Sequence, residues 1–185
     1  MTKVIAGYTT SIDGFVADED GNVERLYPDL ADLQDKPYMI DLVARTGSVI
    51  MGRKTFYMGD PDTYGDGYEF QVPIFIVTHR PPDHHPKENG RISFTFVTEG
   101  VERAVELAKE AAGVRDVMVV GGANLAAQLF RAGLVDELHV DVMPVVLGGG
   151  KRFWDDYAEQ QPQLETIDVT RESERTTLKF RVVRP

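Results

Sequence analysis

The sequence predicts an α/β fold: a mixed, mostly parallel central sheet with helices on both faces and a C-terminal antiparallel hairpin. Three observations predict it. Short apolar runs of strand length alternate with segments whose apolar residues recur at helical spacing. Several of those runs end on glycine, a hydroxyl or a cation. The last run, Thr176–Val183, sets Leu178, Phe180 and Val182 against Thr177, Lys179 and Arg181, as a half-buried antiparallel strand does.

Lys3–Tyr8 reads as the first strand. Asp13-Gly14 and the DEDG of Asp18–Gly21 read as turns. The Asp18-x-Asp20-x-Asn22 spacing is not an EF-hand loop. The sixth and twelfth positions hold Val23 and Asp29 where glycine and glutamate are required. Leu26 to Asp35 reads as irregular. Asp35 then reads as the N-cap of a helix with Pro37 in its first turn, an apolar face of Met39, Ile40, Leu42 and Val43, and Gly47 as its stop. Ser48–Met51 is a second strand, followed by Gly52-Arg53-Lys54-Thr55. Phe56 to Phe70 reads as a long loop. Pro73–Val77 is a third strand, ending at Thr78-His79-Arg80, and Pro81-Pro82 forbids regular structure beyond it. His84 and His85 have no third ligand nearby in the sequence and read as a solvated loop.

Ile92–Val97 is a fourth strand. Val101, Ala104, Val105, Ala108 and Ala112 mark a helix that Gly113 ends. Val117–Val120 runs into Gly121-Gly122 and a short helix ending near Ala132-Gly133. Leu134–Met143 alternates imperfectly and reads as a sixth strand, with His139 a strand residue. Gly148-Gly149-Gly150-Lys151-Arg152 lacks the Gly-Lys-Ser/Thr of a Walker A loop, which argues against an NTPase. Phe153-Trp154 is either core or the cover of a pocket. Leu164–Val169 and Thr176–Val183 form the closing hairpin, joined by the polar stretch Thr170–Arg175.

Composition narrows the function. With 185 residues, 42% hydrophobic, the chain suits one domain spanning 1–185. A net charge of −10 repels a phosphate backbone, so nucleic acid is not expected as a partner. The absence of cysteine removes disulfides, thiolate metal sites and cysteine catalysis, and no metal is expected. No apolar run approaches the roughly 18 residues of a membrane span, and MTKVIAGYTT has no cleavage-like site. The expectation is a cytoplasmic protein with a small-molecule substrate.

Three strand ends carry groups that hold phosphates: Gly52–Thr55, Thr78–Arg80 and Gly121–Asn124. Open α/β sheets bind ligands beyond the carboxyl ends of their strands. Glycines before a helix N-terminus let a pyrophosphate approach the backbone, and Arg holds phosphate bidentately. Together they point to a dinucleotide, and the cations favour NADP over NAD.

The motifs IAGYTTSIDGFVA, VIMGRKTF, FIVTHR and VVGGANLAAQLFRAGLVDELHVDVMPVVLGGG, spread over nearly the whole chain, resemble those of the dihydrofolate reductase-like family. Ser11-Ile12-Asp13-Gly14 with the late LGGG is closer to the reductase domain of riboflavin biosynthesis than to folate enzymes. The resemblance implies a three-layer fold that binds NADPH. Gly52, Arg53, Lys54 and Thr55 would sit at the cofactor phosphates, with Arg53 and Lys54 on the 2′-phosphate side. Thr78, His79 and Arg80 would border the adenosine end. Gly121, Gly122, Ala123, Asn124 and Leu125 would cradle the pyrophosphate. Ala6, Gly14 and Val16 would approach the nicotinamide, and Val120 would lie between it and the substrate. A homodimer is also implied.

Folate reductases carry a Trp-x-x-Pro-like segment where this chain has Arg25-Leu26-Tyr27-Pro28. They place Tyr two residues beyond Asn124, where this chain has Ala126. A folate substrate is therefore not expected. Without cysteines there is no zinc deaminase segment, so a bifunctional riboflavin enzyme is excluded. The resulting expectation is an NADPH-dependent reductase of a pterin- or pyrimidine-like heterocycle. Activity like that of 5-amino-6-(5-phosphoribosylamino)uracil reductase is within its range. Substrate would lie against Ser11, Asp13 and Asp35, with protonation by a water on Asp13 or by a first-helix acid. The alternatives are an NADP(H)-binding regulatory protein on the same fold and, less favoured, a true dihydrofolate reductase.

Overall fold

The structure, a computed structural model, describes residues 1–155 and 161–183. The N-terminal part contains β1 (Val4–Ser11), β2 (Phe15–Ala17), α1 (Leu30–Leu33), α2 (Pro37–Arg45) and β3 (Thr46–Gly52). Next come α3 (Arg53–Phe56), α4 (Tyr64–Gly67), β4 (Ile74–Val77), β5 (Phe94–Val97) and α5 (Val101–Ala112). The C-terminal part holds β6 (Asp116–Val120), α6 (Ala123–Arg131), β7 (Glu137–Met143), β8 (Lys151–Arg152), β9 (Gln163–Glu172) and β10 (Arg175–Val183).

Eight strands form one sheet in the order β5-β4-β3-β6-β1-β7-β10-β9. From β5 to β7 every pair is parallel, and β10 runs antiparallel to both β7 and β9. The parallel strands are apolar on both faces because both are covered. On one face, Val4, Ile50, Phe75, Val117, Val119 and Leu138 pack against α5 and α6. On the other, Ile5, Val49, Met51, Ile74, Ile76 and Met118 meet Phe56 of α3, Tyr64 of α4 and Leu42 and Val43 of α2. The helical period of α5 is satisfied completely: Val101, Ala104, Val105, Ala108 and Ala112 are all buried.

The structure revises several local readings. The N-cap of α2 falls on Lys36, whose backbone is extended, with Pro37 in the first turn. Asp35 is exposed and makes no capping bond. The stretch read as irregular contains α1, a single turn. Gly47 lies inside β3 rather than ending α2. A Cβ there would come within 2.7 Å of the Ala112 carbonyl oxygen, so glycine allows the end of α5 to sit directly on the strand. The hairpin strands extend to Glu172 and Arg175, leaving only Ser173-Glu174 as the turn. Sequence reasoning missed the small ribbon β2–β8, which pairs Phe15 with Arg152. Phe153 belongs to the core, stacked on Tyr8 with ring centroids 3.7 Å apart.

Candidate functional site

A cavity of about 120 Å³ lies on the α2 face of the sheet. Gly7 and Thr9 of β1, Met118 and Val120 of β6, and His139 and Asp141 of β7 form its floor. Tyr38, Met39 and Leu42 of α2 form one wall; Tyr27, Glu69 and Phe70 form another. The space exists because α2 fully buries none of its side chains against the strands beneath it.

The wall at the start of β10 is ionic. Arg175, 3% exposed, donates to both oxygens of Asp29, at 3.0 Å from Nε and 2.7 Å from Nη2. Its Nη1 donates to Asp141 Oδ2 at 2.9 Å. The other Asp141 oxygen accepts from the Thr177 hydroxyl at 2.6 Å, and Tyr38 lies 3.4 Å away. The Arg175 hydrogen bond holds the Asp29 carboxyl below the usual range despite its burial. Burial works against the charge on Arg175, but its bonds to Asp29 and the charge of Asp141 outweigh that and hold the guanidinium protonated. On β7, Glu137 accepts from Lys3 at 2.6 Å and from His139 Nε2 at 3.0 Å. Burial pushes Glu137 upward, yet those two partners keep it ionised. Burial lowers the His139 pKa.

The polar face of the last strand is therefore not wholly solvent-facing, since Thr177 is completely buried. The imperfect alternation of β7 has the same origin. Leu138 and Val140 face the helices α5 and α6, while Glu137, His139 and Asp141 face the cavity side. That period-two run of ionisable residues in a buried strand was the available sequence signal for this site. Tyr27, Asp29, Glu69, Asp141 and Arg175 had not been singled out, because nothing local in the chain brings them together.

The three strand-end segments do come together. Gly52 pairs with Val77, and Met51 with Val120, so the ends of β4, β3 and β6 are neighbours. Gly121 has φ +66°, and a Cβ there would lie 2.6 Å from Thr55 Cγ2. Gly122, at φ +73°, is the N-cap of α6, and no side chain caps the helix. Arg53, Lys54, His79 and Arg80 are exposed, and among the described residues none is paired with a carboxylate. Arg53 lies over the Tyr57 ring at 5.5 Å. The Thr78 hydroxyl turns back onto the Arg80 backbone. Val120 lines the cavity, and the next residue is Gly121.

The remaining sequence candidates separate. The Ala6 side chain is buried toward α5 and α6, and its neighbour Gly7 lines the cavity. Val16 packs on the same core as Ala6, and Gly14 turns at φ +88° beside Arg152. Ser11 Oγ accepts from the Phe15 N–H. Asp13 does not line the cavity. Its oxygens accept the N–H groups of Leu147 and Gly148 at 3.2 and 2.8 Å, which ties the triple-glycine loop to the end of β1. Bonds from Ser11, Gly148 and Leu147 lower its pKa to about 2, so it serves as an acceptor and has no proton to give. Asp35 is likewise outside the cavity.

The model of the RibD C-terminal domain matches residues 2–178. The chain belongs to the RibD C-terminal domain family. Within that setting, it is 28% identical over 148 residues to the uncharacterized protein YwjB of Bacillus subtilis, covering 80% of each chain. The fold is similar to that of a putative riboflavin biosynthesis protein from Shewanella sp. PV-4, with TM-score 0.76, 19% identity and 99% and 100% coverage. It is also similar to dihydrofolate reductase from Enterococcus faecalis complexed with NADP(H), with TM-score 0.59, 14% identity and 97% and 96% coverage. The fold is thus dihydrofolate reductase-like. Among the described residues no helix is long and apolar enough to cross a membrane.

Proposed function

We propose that this RibD C-terminal-family protein is an NADPH-dependent reductase of a small, unsaturated heterocycle of pyrimidine or pterin type. The observation that carries this reading is the position of Val120. It lines the cavity and leads directly into Gly121-Gly122, so a dinucleotide cradle and a substrate cavity meet at one strand end.

The residues present fit the cofactor. The backbone at Gly121 comes so close to Thr55 that a Cβ has no room, and the uncapped N-terminus of α6 offers N–H groups to an anion. Gly121, Gly122, Ala123, Asn124 and Leu125 would hold the pyrophosphate. Gly52, Arg53, Lys54 and Thr55 would hold the phosphate side, with Thr78, His79 and Arg80 at the adenosine end. Of Ala6, Gly14 and Val16, only the β1 backbone at Ala6, next to cavity-lining Gly7, would lie toward the nicotinamide, since the Ala6 and Val16 side chains pack in the α5–α6 core. When bound, the cofactor supplies a hydride. The protein orients the acceptor on the floor of β1, β6 and β7, fixes it against Asp141 and Tyr38, and excludes water beneath α2.

Calorimetry with NADPH and NADH tests the reading. NADPH is expected to bind more tightly, because Arg53 and Lys54 are exposed and, among the described residues, paired with no carboxylate that would compete with a 2′-phosphate. Oxidation of NADPH is then followed at its nicotinamide absorbance with a panel of pyrimidines and dihydropteridines. Failure of both nucleotides to bind overturns the proposal.

A further inference from the structure

Resting on the reductase reading, we infer that Glu69 is the general acid of the reaction, delivering a proton from its carboxyl to substrate in the cavity. The inference comes from what the other groups around that cavity are already doing. Asp29 spends both oxygens on Arg175. Asp141 is committed to Arg175 and Thr177. Both are carboxylates that accept and cannot give.

His139 is no better placed. Glu137, held ionised by Lys3, can only accept, so the imidazole Nε2 carries a hydrogen and donates it. Burial keeps the ring neutral, which leaves Nδ1 without a proton. Tyr27 and Tyr38 are phenols whose pKa values burial pushes up, so they give protons less readily than free tyrosine does.

Glu69 differs from all of these. It lines the cavity beside Tyr27 and Phe70, its carboxyl is hydrogen-bonded by its own backbone N–H, and among the described residues no cation or other side chain pairs with it. Burial raises its pKa. The groups that sense its charge are Tyr64 on α4, Tyr68 beside it and Tyr27 across the cavity. All three are neutral phenols at ordinary pH and none stabilises the carboxylate by charge. Asp141 and Arg175, the charged pair on the β7–β10 wall, are satisfied by each other. Burial with no cation beside it therefore favours the protonated carboxyl, the form that a general acid uses.

The step balances. With NADPH bound, the cofactor would supply a hydride to the carbon of a substrate C=N or C=O bond in the cavity. The π pair moves to the heteroatom, which takes the proton from Glu69 as its O–H bond breaks. The resulting carboxylate is reprotonated from solvent.

Carbon-13 NMR of the glutamate carboxyl groups tests this in the wild-type protein, free and with NADP⁺. Glu69 is expected to titrate above the ordinary glutamate value of about 4.3. A midpoint at or below that value overturns the inference whether or not turnover has been found. With NADPH and the panel above, Glu69→Gln is expected to lower kcat by about 10²–10⁴-fold. It should leave the calorimetric Kd for NADPH within about twofold, far below a 1.4 kcal/mol tenfold change. Wild-type kcat should fall as pH rises through the Glu69 midpoint, and Glu69→Gln should lose that limb while Glu69→Asp keeps it. Full kcat with an unchanged pH profile in Glu69→Gln overturns the inference and leaves the reductase reading intact. Absence of NADPH binding in the wild type removes both.

Discussion

Arg175 illustrates how one side chain can set the state of several others. It is the first residue of β10, yet it is buried between Asp29 and Asp141, which lie 146 and 34 positions away in the chain. Removing the guanidinium strands two carboxylates in a buried wall. Arg175→Met is therefore expected to destabilise the protein by about 3–5 kcal/mol at pH 7, read from urea unfolding. The pH dependence has a definite sign. In the wild type the folded Asp29 pKa is depressed, so its contribution is present above the unfolded value of about 3.9 and is lost as pH falls through the folded value. In the variant, buried and unpaired carboxylates take up protons more readily when folded. The stability gap between the two proteins should narrow as pH falls from 7 toward 4. A gap that is constant or widens would count against an ionic role for Arg175.

Among the elements, the turn from β6 into α6 is tightly constrained. Gly121 sits at φ +66° with no space for a Cβ beside Thr55. Gly121→Ala meets both obstacles and is expected to cost about 1–3 kcal/mol of stability. It should also weaken NADPH binding by about tenfold or more, 1.4 kcal/mol per decade. Adding Thr55→Ala removes the methyl and hydroxyl nearest the new Cβ, so the double variant should regain part of the stability but not the cost of the left-handed backbone. Equal stability of single and double variants would show that steric contact with Thr55 is not the cause. The other elements were largely legible in the sequence. Helix α5 and strands β3, β4 and β6 lie close to where their periodicity put them, because burial on a covered face forces that periodicity. The short pieces, α1 and the β2–β8 ribbon, were not legible. They are held by tertiary contacts such as Arg152 over the Phe15 ring at 4.2 Å, and they have too few residues to show a period.

At the scale of the molecule, the proposed cofactor site is assembled from the ends of β3, β4 and β6, which α3, α4, β5 and α5 separate in the chain. A ligand that bridges these ends binds only the folded sheet. NADPH at about 100 times its Kd should add about 2.7 kcal/mol to stability. For a chain of this length that corresponds to a rise in Tm of about 5–10 °C. Scanning fluorimetry with and without NADPH checks this, and an unchanged Tm at saturating NADPH would contradict a bridging site.

The layered α/β fold, the family and the three strand ends are readable from the chain alone, because each is written in a contiguous run of residues. Apolar period, glycine before a helix and cations after a strand are local signals, and adjacent parallel strands then align their ends automatically. The chemistry of the cavity depends instead on contacts made in three dimensions. Glu69 lies in a loop and His139 in a strand, and Asp29, Asp141 and Arg175 come from three distant segments. Whether such a group is an ion, a neutral imidazole or a protonated acid depends on which partner the fold places against it and on how much water remains. Asp13 and Asp35, the two acids the sequence offered, lie outside that enclosure. One is held by backbone N–H groups of a distant loop and the other is exposed to solvent.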